Sequence, residues 1–275
     1  MSACDESLTP ISGEVDGYYT INGYLDVDAD TQFVRVTPVR FQFERLPAEP
    51  LEARVFTRNL STGVETTWQD SLITLDDGTT DHLFHSTALV TPGDTYEFVI
   101  ERPDGIVVRT QQDVPPIRPI LPAGFEQRQV GNNLDAQFFQ DVALRGLNVA
   151  PDDLTMRYRY INPATAQPDS LAISYVRIAS DEGVPTGDSW TVPIQLSDDR
   201  FSVLNSLGVP ANDTTIVLLG LSIDVVVLSR NWRSNVPRSF VQNGYGFFGA
   251  RTRYQRTWQL TREALSQLGF ESADG

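Results

Sequence analysis

PGDTYEFVIERPDGIVVRTQQDVP, Pro92 to Pro115, decides the fold class. Tyr96, Phe98 and Ile100 alternate with Glu97, Val99 and Glu101, the period-two pattern of a strand with one face buried. Pro103-Asp104-Gly105 then supplies a tight turn, because Pro presets its φ and Gly takes up positive φ without steric strain. A second strand follows and exits at Val114-Pro115. The stretch therefore reads as a β-hairpin. The same alternation recurs elsewhere. VRFQFE places Val39, Phe41 and Phe43 on one face, MRYRYI places Met156, Tyr158 and Tyr160 inward, and RYQRTWQL puts Tyr254, Arg256, Trp258 and Leu260 on one side. IVLLGLSIDVVVL, Ile216 to Leu228, reads as one or two buried strands. Turn signals at Asp77-Gly78, Pro92-Gly93-Asp94 and Asn243-Gly244 punctuate the pattern. Short strands at this spacing predict a mostly β chain built of β-sandwiches.

A chain of 275 residues is long enough for two domains. VPPIRPILP, Val114 to Pro122, marks the boundary, since four prolines in nine residues remove ladder donors and stiffen the backbone. The organisation expected is an N-terminal tether over 1–13, an immunoglobulin-like sandwich over 14–113 and a Pro-rich linker over 114–122. A second β-sandwich follows over 123–260, then a C-terminal helix and tail over 261–275. The helix rests on Thr261 as cap and Gly269 as stop. A short helix is also expected over Asp198 to Gly208, capped by Asp.

The net charge is −15, and phosphate binding needs a basic surface, so the expectation is no nucleic-acid partner. All 21 basic residues are arginine. One segment departs from the acidic background. Arg230 to Trp258 holds six Arg and no Asp or Glu, so the rest of the chain carries −21. It also holds Trp232, Phe240, Tyr245, Phe247, Phe248, Tyr254 and Trp258. Arginines interleaved with aromatics suit recognition of anions, sugars or a protein partner. The binding candidates are Trp232, Arg233, Arg238 and Tyr245. Phe247 and Phe248 read as core or chain-reversal residues among three glycines.

Catalytic and metal chemistry finds little purchase. His82 and His85 are the only histidines, and their odd spacing sends them to opposite faces of a strand, so Asp81, His82 and His85 do not converge on a metal there. Asp26, Asp28 and Asp30 alternate as calcium ligands can. The helix-loop-helix calcium pattern nevertheless fails, because Thr31 and Thr37 stand where Gly and Glu belong. There is no Gly-x-Ser-x-Gly turn, and no motif selects a catalytic pair of carboxylates. The expectation is a protein that is not an enzyme and uses no cofactor or metal.

Cys4 is the only cysteine, which excludes an intrachain disulfide and a thiolate-rich zinc site. Ser2-Ala3-Cys4 resembles the end of a bacterial lipobox, with Met1 in place of the usual leucine. In that resemblance Cys4 is the lipidation site, and the acidic Asp5 and Glu6 resemble surface-export signals of Gram-negative lipoproteins. The body resembles an uncharacterised bacterial cell-envelope lipoprotein family that carries a domain of unknown function and is often encoded near TonB-dependent outer-membrane receptors. The likeness rests on Pro92-Gly93-Asp94-Thr95-Tyr96 through Pro103-Asp104-Gly105 to Val114-Pro115. It rests also on Ser234-Asn235 followed by Gly244-Tyr245-Gly246-Phe247-Phe248-Gly249-Ala250. It implies an outer-membrane or cell-surface location, a membrane partner through a lipid anchor, and a TonB-dependent receptor or a glycan or peptide ligand as further partner. The expected function is a non-catalytic binding or accessory role in nutrient uptake. The alternatives are a structural or adhesive surface protein and, third, a glycan hydrolase with two carboxylates roughly 5–9.5 Å apart.

Overall fold

The computed structural model describes residues 17–39, 51–76, 78, 80–129, 136–147, 149–229, 232 and 241–272. Among them 57% lie in strands and 12% in helices, so the chain is mostly β, as the alternation requires. The first strands are β1 (Tyr19–Asp26), β2 (Gln32–Pro38), β3 (Arg54–Asn59), β4 (Glu65–Thr67), β5 (Gln69–Thr74) and β6 (Thr80–Ser86). Next come β7 (Thr95–Glu101), β8 (Val107–Asp113), β9 (Ile120–Gln129), β10 (Ala136–Arg145), β11 (Asp153–Asn162) and β12 (Gln167–Ser174). The last are β13 (Val184–Thr186), β14 (Ser189–Ile194), β15 (Val217–Leu228), β16 (Val241–Gln242), β17 (Gly244–Trp258) and β18 (Glu271–Ser272). The helices are α1 (Val176–Asp181), α2 (Leu196–Leu207) and α3 (Arg262–Leu268).

These elements build two sandwiches on one shared sheet. The long sheet has the order β12-β11-β15-β17-β1-β2-β6-β5, with β18 beside β15. Its β17-to-β5 half faces a sheet of order β16-β8-β7-β3-β4, and the two enclose the first, immunoglobulin-like core. Ile21, Val34, Phe84 and Phe248 enter that core from one side, and Val55, Phe98, Ile100 and Val108 from the other. The β12-to-β17 half faces a sheet of order β13-β14-β10-β9. Leu154, Met156, Ile223 and Tyr254 meet Val142, Leu144, Val192 and Ile194 there, with Val203 of α2 and Leu265 of α3 closing the core. Each such side chain, fully buried, contributes roughly 1.5–3 kcal/mol.

Strand β17 joins the halves. Gly244 to Arg251 run parallel to β1, and Arg251 to Trp258 run antiparallel to β15. Residues 241–251 follow the proline segment by well over a hundred positions, yet Val241, Phe248 and Ala250 are buried in the first core. The proline segment is also tied to this strand, since the Thr252 hydroxyl donates to the Pro115 carbonyl.

The hairpin within Pro92 to Pro115 is β7–β8. Its turn is closed by Arg102 N–H to Ile106 O and Gly105 N–H to Arg102 O, each at 3.0 Å. Tyr96, Phe98 and Ile100 point inward, as do Met156, Tyr158 and Tyr160 of β11. Val217 to Leu228 forms a single strand, with a register shift against β11 between Gly220 and Leu218. The C-terminal helix begins at a Thr261 cap that accepts from Ala264 N–H and stops at Gly269 in the left-handed region. Helix α2 differs from expectation at its start. It begins at Leu196, no side chain caps it, and the Asp199 side chain turns into the core. The proposed strand over Val39 to Glu44 falls outside the described residues beyond Val39, which follows β2.

Candidate functional site

The outer face of the long sheet, over the first sandwich, carries a row of aromatic side chains. Pairing places Gly249 of β17 beside Tyr24 of β1, Tyr24 beside Phe33 of β2, Phe33 beside His85 of β6, and His85 beside Gln69 of β5. Directly paired residues share a face, so these five positions make one line across five strands. The next row reads Phe247, Asn22, Arg35, Leu83 and Ser71, and the third reads Tyr245, Thr20, Thr37, Asp81 and Ile73. Inward neighbours fill the core, so period two puts these side chains on the outer face, where Asp81 is covered by its partners.

Trp232 completes the row. Its ring meets Tyr24 edge-on at 5.1 Å and Phe247 edge-on at 5.0 Å. It sits over Gly249, where a Cβ would lie 2.5 Å from the Phe247 ring and 2.8 Å from the Trp232 ring. The glycine is the seat that lets the indole lie on the sheet. Phe33 is 52% exposed, Tyr245 42% and Trp232 37%. Phe33 also lies 6.3 Å from the His85 ring.

The charges on this face are neutralised within it. Arg35 pairs with Asp81, which also accepts from the Thr37 hydroxyl. Arg251 pairs with Asp26 at 2.6 Å and lies over the Tyr24 ring at 5.5 Å. The hydrogen bond to Asp26 holds the Arg251 guanidinium above its ordinary pKa, with burial acting the other way. Asn22 and Gln69 stand exposed among the rings.

The opposite outer face, on the β16-to-β4 sheet, is built differently. Arg54 bridges Glu65 and Glu101, Arg58 bridges Glu65 and Glu97, and Arg109 approaches Glu97. The one aromatic residue of that lattice, Phe56, has the Arg54 guanidinium 4.2 Å from its ring centre and is 0% exposed. An aromatic ring on that side is covered by arginine. On the long sheet Phe33, Trp232 and Tyr245 stay open, and among the described residues of this row only Tyr24 has an arginine over its ring.

Two of the residues expected to bind, Trp232 and Tyr245, share the aromatic face. Arg233 and Arg238 lie outside the described residues, as does Cys4. Phe248 is in the core, as expected, but its neighbour Phe247 is half-buried on the outer face, because consecutive strand residues point to opposite sides. Tyr24, Phe33 and His85 were missed. Their signal lies in pairing between strands, which one strand's alternation does not carry.

His82 and His85 do face opposite sides. His82 Nδ1 lies 2.8 Å from Asp70, and His85 Nδ1 lies 3.3 Å from the Ser71 hydroxyl. Asp26 is engaged by Arg251 and by the Asp28 backbone N–H. No group of three metal-ligating side chains occurs among the described residues. Asp199, a buried acid of the second sandwich, accepts from the hydroxyls of Tyr158 and Tyr175. Burial pushes its carboxyl up to about 6, against the pull of those hydrogen bonds. The Asp199 carboxylate sits inside the core, where it ties α2 to β11.

No family model matches the chain, and no curated protein matches it. Among solved structures it is similar to a pullulanase from Anoxybacillus sp. LM18-11, at 12% identity over 76% of this chain with a TM-score of 0.23. The chain spans 24% of the length of that pullulanase. It is similar also to a two-domain fibronectin type III segment of chicken tenascin, at 12% identity, over 89% of this chain and 98% of that one, with a TM-score of 0.21.

Proposed function

We propose that this chain is a non-catalytic binding protein of the bacterial cell envelope, held to the membrane by lipid on Cys4, and that the aromatic face of the first sandwich is where it binds. The reading is carried by one observation: Tyr24, Phe33, His85, Trp232, Phe247 and Tyr245 occupy one sheet face and leave Phe33, Trp232 and Tyr245 open to solvent. Partly exposed clusters of Trp, Tyr and Phe supply contact area at small entropic loss and are enriched where proteins bind. The anchor and an accessory role beside a TonB-dependent outer-membrane receptor rest on Ser2-Ala3-Cys4 and on the family resemblance.

The test uses the full-length precursor in cells. A photo-reactive residue at position 33 should give a covalent adduct, and one at position 111 on the opposite outer face should not. Equal adducts at both positions, or none at 33, would overturn the binding reading. In the same cells Cys4→Ser should abolish acylation and release the protein from the membrane fraction. Unchanged fractionation would remove the anchor from the proposal.

A further inference from the structure

We infer that the ligand of the aromatic face is a neutral polysaccharide, lying across the strands along the line Trp232, Tyr24, Phe33 and His85. This deepens the binding reading above and rests on it.

Three features of the face select that chemistry. The first is charge. Arg35 is matched by Asp81 and Arg251 by Asp26, so both arginines described on this face are paired with acids although the chain carries −15 overall. An anionic glycan or an acidic peptide would find no free cation among the described residues of the row. A cationic partner would find its acids already engaged. The second is the pairing of rings with unused amides. The exposed Asn22 and Gln69 amides make no side-chain hydrogen bond among the described residues, and they stand beside Phe247 and His85 respectively. A purely apolar partner would leave those amides unsatisfied, which is unfavourable in a dry interface. A pyranose meets both needs, since its axial C–H face is apolar and its rim carries hydroxyls. The third is spacing. Adjacent strands lie about 4.8 Å apart, so the ring-bearing positions repeat at close to the length of one hexose unit. A chain laid perpendicular to the strands passes over Gly249, Tyr24, Phe33, His85 and Gln69 in turn.

The experiment is depletion from solution by insoluble polysaccharides. The purified protein is mixed with microcrystalline cellulose, chitin or insoluble starch, with alginate beads as the anionic comparison. At least one neutral polymer should retain the protein at both low and high salt, and alginate should not. Phe33→Ala and Tyr24→Ala should each weaken retention at least tenfold, and Arg109→Ala on the opposite face should leave it unchanged. Quenching of wild-type tryptophan fluorescence by the matching soluble oligosaccharide gives a second measure that needs no variant. Retention by alginate alone, lost as salt rises, would overturn the neutral ligand. So would retention that survives both ring substitutions. If no polymer is retained while position 33 still cross-links to a protein in cells, the glycan inference fails and the binding reading stands. If neither occurs, both fail.

Discussion

Tyr175 and Asp199 meet in the second core, with the Tyr175 hydroxyl donating to Asp199 Oδ2 at 2.7 Å. The same oxygen accepts from Tyr158, and the Tyr175 oxygen accepts from Gln195 N–H at 2.9 Å. Burial raises the carboxyl to about 6. An unfolded Asp titrates near 3.9. Between about pH 4 and 6 the folded chain therefore holds a proton that the unfolded chain has lost. The stabilisation is fully present below about pH 4 and is lost as pH rises through about 6. A two-unit difference corresponds to about 3 kcal/mol. Urea midpoints from pH 4 to 7.5, for wild type and for Asp199→Asn, isolate this group from the other carboxylates. The wild-type stability minus that of the variant should fall across the window. Parallel curves would refute the assignment.

Asp199→Ala should be worse than Asp199→Asn at every pH. Alanine leaves the Tyr158 and Tyr175 hydroxyls buried without their acceptor, which costs about 2–4 kcal/mol. Asparagine keeps an acceptor oxygen. Equal loss in the two variants would mean that the hydroxyls find other partners.

How much of this was legible varies with the physics involved. Tyr96, Phe98 and Ile100 declare their burial through alternation, and Thr261 and Gly269 declare the ends of a helix through cap chemistry. Both are local rules. The Asp198-Asp199 pair reads as the source of a helix cap, since a capping site and a buried network use the same residue type. Only packing of α2 against β11 and Tyr175 distinguishes them. The aromatic face depends on the register Tyr24 to Phe33 to His85 and on β17 returning beside β1. Those contacts join residues far apart in the chain. Trp232 and Tyr245 were found because Arg230 to Trp258 has an unusual composition, which is a local property.

Arg200 is the pin between α2 and the C-terminal segment. It donates to the carbonyls of Ala211 at 2.9 Å, of Gly269 at 3.4 Å and of Asp213. Burial lowers its pKa, with Asp213 acting against that. A lysine has one donor centre and does not span three carbonyls. Arg200→Lys should therefore cost about 1–3 kcal/mol and raise hydrogen exchange over residues 209–215 and 262–272 first. Uniform exchange across the whole chain would argue against a local pin.

Gly246 allows the parallel pairing of β17 with β1. Its φ is +104°, and a Cβ there would lie 2.1 Å from the Ile21 carbonyl oxygen. The obstructing atom is backbone in the middle of a sheet, so it has little room to yield. Gly246→Ala should destabilise the protein by about 2–4 kcal/mol and should weaken polysaccharide retention through loss of the β17 register. Guanidinium unfolding measures the first effect. A change below about 0.5 kcal/mol would show that β17 can shift without loss.

Phe33 separates binding from folding. Its ring is 52% exposed and is absent from the first core, where Val34 and Val36 of the same strand are fully buried. Replacing it removes a cross-strand contact with His85, and such pairs contribute about 0.2–1 kcal/mol. Threonine keeps the β-branched preference for a strand. Phe33→Thr should therefore move the unfolding free energy by no more than about 1 kcal/mol, while its ligand affinity falls at least tenfold. A ring held open on the surface with little gain in stability is what a binding role requires. Val34→Ala, one residue on, should give the reverse: a loss of about 1–3 kcal/mol with affinity retained in the folded fraction. If Phe33→Thr unfolds the protein as readily as Val34→Ala, the ring is structural and the face is not a binding surface.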